Sequence, residues 1–214
     1  RGAPVRANRE ITVLGVIYRY AIRWAAATRN PVGGFLYEPE TPRTREVKRA
    51  ERVQFARSYC PRWLRAFIML KYITGRRQAE LLRLGLYSIR DEGLAVPIAK
   101  KRRQRTLILT WTPSLRRIVA LVKALRRPAH SLLFFHGERG KPVNPRALKS
   151  VWQRAMQEWE ADGHERFWEH DIRAATSGAA QNDERARELL DHADVRTTRR
   201  SYRRAEETKV RPLR

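Results

Sequence analysis

The chain has one cysteine, Cys60, in 214 residues. It therefore cannot close an intrachain disulfide, and a reducing compartment is expected. No run of about 18 apolar residues occurs, which argues against a transmembrane helix. Residues Arg1 to Arg9 include three arginines and lack the apolar stretch of a secretory leader. The opening residue is not Met, as expected of a processed or trimmed chain. Nothing resembles a Gly-rich nucleotide loop. The five histidines, His130, His136, His164, His170 and His192, have no cysteine or carboxylate at ligand spacing. Neither a metal nor a cofactor is therefore expected. Acid is also scarce, with 22 Asp+Glu against 46 Lys+Arg and a formal net charge of +24.

Such an excess strains a fold by self-repulsion, so a polyanionic partner is its natural explanation. Most of the basic residues are Arg, whose planar fork suits phosphate oxygens better than a point charge does. Nucleic acid is the first candidate partner. An acidic membrane surface is the second, but no basic amphipathic helix with a bulky apolar face stands out, so no membrane partner is expected. Ribosomal proteins carry similar charge, usually with less core; here 42% of residues are hydrophobic.

Apolar residues from Ile11 to Ala25 recur at helical spacing, so 9–28 reads as one amphipathic helix. Asn30, Pro31, Gly33, Gly34, Pro39 and Pro42 mark 30–46 as a linker. Residues 47–73 read as two helices broken before Pro61. Gly75 stops the second, and another helix starts near Arg77 and runs through Leu84. Leu94, Val96 and Ile98 alternate, a basic turn follows at Lys100–Arg105, and Thr106–Leu109 returns as the partner strand. Pro113 opens a helix, Ser131–Phe135 reads as a short extended run, and Asn144 with Pro145 starts another helix. Residues 170–204 read as three short helices. The expected fold class is α+β, mainly helical, with a small antiparallel sheet.

Four segments could carry chemistry. In Thr74–Leu82, Arg77 follows a glycine stop at a helix N-terminus, where backbone N–H groups favour an anion, and Glu80 could hold its guanidinium. His170 and Arg173 stand at i and i+3 and so share a helix face. Leu189–His192 is an apolar helix end followed by His192. Finally, five arginines surround Tyr202 between Arg196 and Arg204, a field that favours phenolate over phenol. Each has a plainer reading: a salt-bridged helix start, a solvated polar face, a His at a helix dipole, and a basic helix that binds phosphate.

Taken in order, Arg … His-x-x-Arg … His … Tyr resembles the tyrosine recombinase, or phage integrase, family over roughly residues 50–204. Thr74–Leu82 looks like that family's T-G-x-R-x-x-E-L box, His170–Arg173 like its H-x-x-R box, and Leu190–His192 like its L-G-H box. Val195–Tyr202 looks like the run that ends in the nucleophile. The resemblance implies the DNA breaking-rejoining enzyme fold over 47–205. It also implies that 1–29 is the C-terminal helix of a truncated core-binding domain, with 30–46 a linker and 206–214 a tail.

The same resemblance implies site-specific DNA strand cutting and rejoining, in DNA integration or a mobile element, through a 3′-phosphotyrosyl intermediate and without a cofactor. Tyr202 would be the nucleophile. Arg77 and Arg173 would clasp the non-bridging oxygens, with His192 adding a hydrogen bond. His170 would accept the tyrosine proton, and Lys100 would protonate the leaving 5′ oxygen. Lys100 is preferred because it stands five before Arg105; Lys101 is its rival. Glu80 is supporting. Expected partners are double-stranded DNA, further copies of the chain as a tetramer on paired sites, and accessory DNA-bending proteins, in the cytoplasm at the nucleoid.

Three departures stand out. Asp191 replaces the L-G-H glycine and adds a negative charge and a Cβ beside a site built for phosphate. His192 to Tyr202 spans ten steps where nine is common and ten also familiar, and Arg173 to His192 is a few residues short. A type IB topoisomerase, a DNA-binding protein with a dead site, and an RNA-binding ribosomal-type protein remain as alternatives.

Overall fold

The computed structural model describes residues 3–41, 45–100, 103–126, 128, 130–137 and 140–191. It divides into two compact units, Arg1–Arg43 and Thr44–Arg214.

The first unit is built on helix α1, Pro4–Arg23. Proline suits the first helical turn because its fixed φ is already helical and its missing N–H would have no partner there. The helix thus begins five residues earlier than the apolar spacing predicts. It also stops earlier, because Ala25 adopts a left-handed φ of 55°. The stretch read as linker is not simply extended. It returns along α1, where Asn8 Nδ2 donates to Glu38 O at 2.8 Å and Glu38 N donates to Asn8 Oδ1 at 3.0 Å. One amide side chain thereby satisfies both backbone groups of Glu38.

In the second unit, α2 (Arg49–Ser58) and α3 (Arg62–Thr74) are separated at Pro61, the N-cap of α3. The helix expected from Arg77 to Leu84 shrinks to one turn, α4, Gln78–Leu81. Residues 82–84 leave the helix, and Gly85 and a 3-10 turn at Leu86–Ser88 follow. A Cβ at Gly85 would lie 2.5 Å from Leu132 O, so tertiary approach of the 131–135 run overrides the apolar periodicity. That run itself forms only a single bridge, Gly85↔Leu133, rather than a strand.

Strands β1 (Gly93–Lys100) and β2 (Arg103–Thr110) form an antiparallel hairpin, with Leu94 opposite Leu109, Ile98 opposite Arg105 and Lys100 opposite Arg103. The strands thus pair into the Lys100–Arg105 span expected for the turn, as far as Lys100 and Arg103. Helix α5 (Pro113–Lys123) is capped by Thr112, and α6 (Pro145–Ala161) by Asn144, whose side chain accepts from Arg146 N at 2.8 Å. Helices α7 (Glu169–Gly178) and α8 (Asp183–Leu190) follow. The third helix expected before residue 204 lies outside the described residues.

The core of this unit gathers Phe55, Leu64, Phe67, Leu70, Val122, Met156, Trp159 and Phe167 with no or almost no exposure. Phe55 is surrounded by rings, with centroids of Phe167 at 5.0 Å, Trp152 at 5.1 Å and Trp159 at 5.7 Å. Burying each such side chain stabilises by about 1.5–3 kcal/mol, which fixes the helices on which the site stands. Among the described residues, no helix is long and apolar enough to cross a membrane.

Candidate active site

Gly75 ends α3 in the left-handed region, at φ 61°. Both its conformation and its surroundings exclude a side chain: an added Cβ would meet Leu190 Cδ2 at 2.8 Å and Thr176 Cγ2 at 3.3 Å. The glycine stop therefore lets the end of α3 touch α7 and the end of α8 at once. The two arginines after it diverge. Arg77 is the N-cap of α4 and half-exposed; Glu80 accepts from its backbone N at 3.0 Å and from its Nη1 at 3.2 Å. Glu80 thus grips Arg77 as its spacing predicts.

Arg76, which the motif leaves unassigned, is fully buried. Its Nε donates to Thr74 O at 3.2 Å and its Nη2 to Leu189 O. Burial pushes its guanidinium down to about 10; Glu80 opposes this, and Arg173, Arg77 and Arg105 add to it. Three further guanidiniums therefore lie within electrostatic range of Arg76.

Helix α7 carries His170 and Arg173. Arg173 is wholly buried, with Nη1 donating to Gly75 O and Nη2 donating to Leu190 O at 2.7 Å. One arginine thus bridges the first box to the third. His170 keeps solvent access. Partial burial of its ring, then the charges of Lys71 and Arg173, hold its pKa below the ordinary 6.5, while Glu169 and Asp171 pull the other way. The ring is therefore neutral at pH 7, the form able to accept a proton.

Lys71 was not singled out from sequence. It is 1% exposed, and its Nζ lies 2.5 Å from Glu169 Oε1. Burial lowers its pKa, with Glu169 opposing. The signal was a lone cation inside the apolar run Phe67–Ile73 of α3.

Asp191, the departure from L-G-H, is the C-cap of α8 with φ 55° and ψ 46°. That left-handed geometry explains a glycine there, and Asp is among the few other residues that tolerate it. Its Oδ1 pairs with Arg105 Nη2 from β2. The charge expected to trouble a phosphate site is thus met by a cation 86 positions away in sequence.

The structure brings together Arg77, Glu80 and Arg173 of the expected residues, with His170 one turn before Arg173. Lys100 ends β1, but its side chain lies outside the described residues, as do Lys101, His192 and Tyr202.

The chain matches the family model described as the phage integrase family over residues 47–209. It belongs to that family. Among curated relatives it is similar to the tyrosine recombinase XerC of Azotobacter vinelandii (strain DJ / ATCC BAA-1303), 27% identical over 209 residues, covering 89% of this chain and 66% of the relative. In fold it is similar to lambda integrase in a dimer bound to a COC′ core site, with a TM-score of 0.76 and 20% identity over 100% of this chain and 63% of that one. The Tn1549 transposon integrase in complex with circular intermediate DNA gives 0.71 and 15% identity, over 94% and 75%. The chain thus spans just under two thirds of the XerC relative and of that lambda integrase chain. These likenesses bear out the expected mainly helical integrase fold with its small antiparallel sheet.

Proposed function

We propose that this integrase-family chain cuts and rejoins double-stranded DNA through a phosphotyrosyl ester at Tyr202. The supporting observation is the double donation of Arg173 to Gly75 O and Leu190 O, which joins three sequence-distant boxes at one cationic place. Four arginines crowded there, two of them fully buried, suit a phosphodiester whose charge grows during the reaction.

In this reading Tyr202 Oη attacks the scissile phosphorus and the bond to the 5′ oxygen breaks. The neutral His170 takes the phenolic proton. Arg77 meets the non-bridging oxygens from the solvent side. Arg173 meets them from within, as its carbonyl contacts exchange for phosphate, and His192 adds a hydrogen bond. Lys100, or else Lys101, supplies a proton to the departing oxygen. The ester conserves the bond energy, so rejoining is the reversal with the same groups. The domains follow the family's plan, with 1–29 from a core-binding domain, 30–46 a linker, 47–205 catalytic and 206–214 a tail. A lambda integrase tetramer has been seen bound to a Holliday junction, and assembly of this chain as a tetramer on paired DNA sites, with accessory DNA-bending proteins in the nucleoid, is proposed by analogy.

A suicide duplex that loses its religating strand tests this directly. The unmodified chain accumulates a covalent adduct on a denaturing gel. Tyr202→Phe removes one oxygen and no charge, so it binds DNA as before and forms none. An adduct in Tyr202→Phe would assign the nucleophile elsewhere, and no adduct in any form would leave a DNA-binding protein.

A further inference from the structure

Two observations at the end of α8 stand apart from the family pattern. Asp191 holds a left-handed backbone at φ 55° that glycine would adopt without steric cost. Its carboxylate is nevertheless kept largely from solvent, with a side-chain exposure of 10%. A partly buried carboxylate needs a partner to offset its lost hydration. That partner is Arg105, whose Nη2 reaches Oδ1. Oδ2 is buried and, among the described residues, has no hydrogen-bond partner. Among the described residues, the carboxylate therefore leans on Arg105.

Arg105 stands opposite Ile98 in the hairpin register, two pairs from the last pair, Lys100 and Arg103, where the turn begins. Its side chain reaches from the turn-proximal half of a sheet that has no third strand among the described residues. An isolated hairpin is marginal in water. The apolar core secures this one through Leu94 and Val96, fully buried, and through Ile98, 2% exposed and opposite Arg105. There the ion pair adds a charged tie to α8.

We propose that Asp191, acting through Arg105, is a positioning residue that ties the turn end of the β1–β2 hairpin to the C-terminus of α8. The pair fixes where the hairpin stands relative to the cationic place formed by Arg76, Arg77 and Arg173. The kinetic part rests on the proposed role of a hairpin lysine as the leaving-group acid. A displacement of about 1 Å of such a group costs roughly 10²-fold in rate, so a tether at this point is a lever on cleavage.

The test uses the whole chain. Asp191→Asn keeps the left-handed preference and the size and removes the charge; Arg105→Gln removes the other partner; the double variant removes both. In the DNA-free protein, amide hydrogen exchange over 98–105 is expected to accelerate in all three variants, while the amides of α3 and α6 stay protected. Unchanged exchange over 98–105 in Asp191→Asn overturns the tether. On ordinary suicide DNA, both single variants slow adduct formation roughly ten- to hundredfold, and the double is no slower than the slower single. Additive losses overturn the pair as one device.

On DNA whose bridging 5′ oxygen is sulfur, the leaving thiolate needs no proton. Asp191→Asn should then cleave at close to the parent rate, as should the lysine variant, Lys100→Ala or Lys101→Ala. A merely structural loss would persist on both substrates. If the lysine variant is rescued and Asp191→Asn is not, the positioning role is overturned. If neither lysine variant is rescued, the acid assignment falls, and with it the kinetic part of the proposal; the exchange data still decide the tether itself.

Discussion

The two units hold themselves together by different means. In the first, among the described residues, the only buried side chain is Asn8, an amide, while Val13, Ile17, Trp24 and Leu36 stand exposed at 57%, 54%, 72% and 88%. In the second, Phe55, Leu64, Phe67 and Met156 have no exposure at all. An amphipathic stripe alone therefore does not make a core. The apolar residues of α1 recur at helical spacing just as those of α5 and α6 do, yet only the latter find enough partners to leave water. The second unit is held by area removed from solvent, and the first, among the described residues, by side-chain hydrogen bonds centred on Asn8.

Truncating the apolar centre of each unit should separate them most. Phe55→Ala is expected to cost the second unit about 3–5 kcal/mol, the usual range for emptying a ring-packed site. Ile17→Ala should stay within about 0.5 kcal/mol, as for an exposed position. Denaturant midpoints of the two variants measure this, and equal shifts would erase the contrast.

Next in size is Gly75→Ala. A left-handed non-glycine residue costs about 1–2 kcal/mol, before the added methyl displaces Leu190. The same substitution at Gly34, also at positive φ but with nothing within 4 Å, should cost only the backbone part. Thermal unfolding of both variants checks the difference.

A third prediction concerns the polar anchor. Asn8→Ala leaves both backbone groups of Glu38 without their partner, a loss of about 1–3 kcal/mol where they stay desolvated and less where water enters. The effect should appear as faster exchange at Glu38 with the second unit untouched.

The smallest effect is electrostatic. His170 is held neutral in the fold, so the stability this contributes is complete above its ordinary 6.5 and is withdrawn as pH falls below that through the depressed folded value. The second unit's Tm should therefore decline below pH 6.5, and less so in His170→Gln. Arg6 and Glu10 of the first unit are exposed, at 81% and 61%, and should add nothing visible over that range. A Tm–pH curve identical in His170→Gln would remove the contrast.

What the sequence shows of this fold is what local chemistry determines. Thr112-Pro113 and Asn144-Pro145 announce α5 and α6 because cap and first turn are neighbours in the chain. Gly75 was legible as a stop, and Glu80 as the partner of Arg77, three residues away. The shortening of α4 was not, because Gly85 is crowded by Leu132, far along the chain. In the site, motif order selected Arg77 and Arg173 but passed over Arg76 and Lys71, whose importance is their burial. Asp191 read as an unwelcome charge, since nothing local points to Arg105.

Gly75 has one more consequence, for exchanging parts between relatives. The space a methyl would need beside it is filled by Leu190 and Thr176, and Leu189 and Leu190 lend their carbonyls to Arg76 and Arg173. Segments 74–77, 173–176 and 189–191 are thus a single mould cast from three pieces of chain. A chimaera that takes one of them from a relative inherits a misfit at the other two. Grafts into this scaffold should carry all three together or leave all three alone.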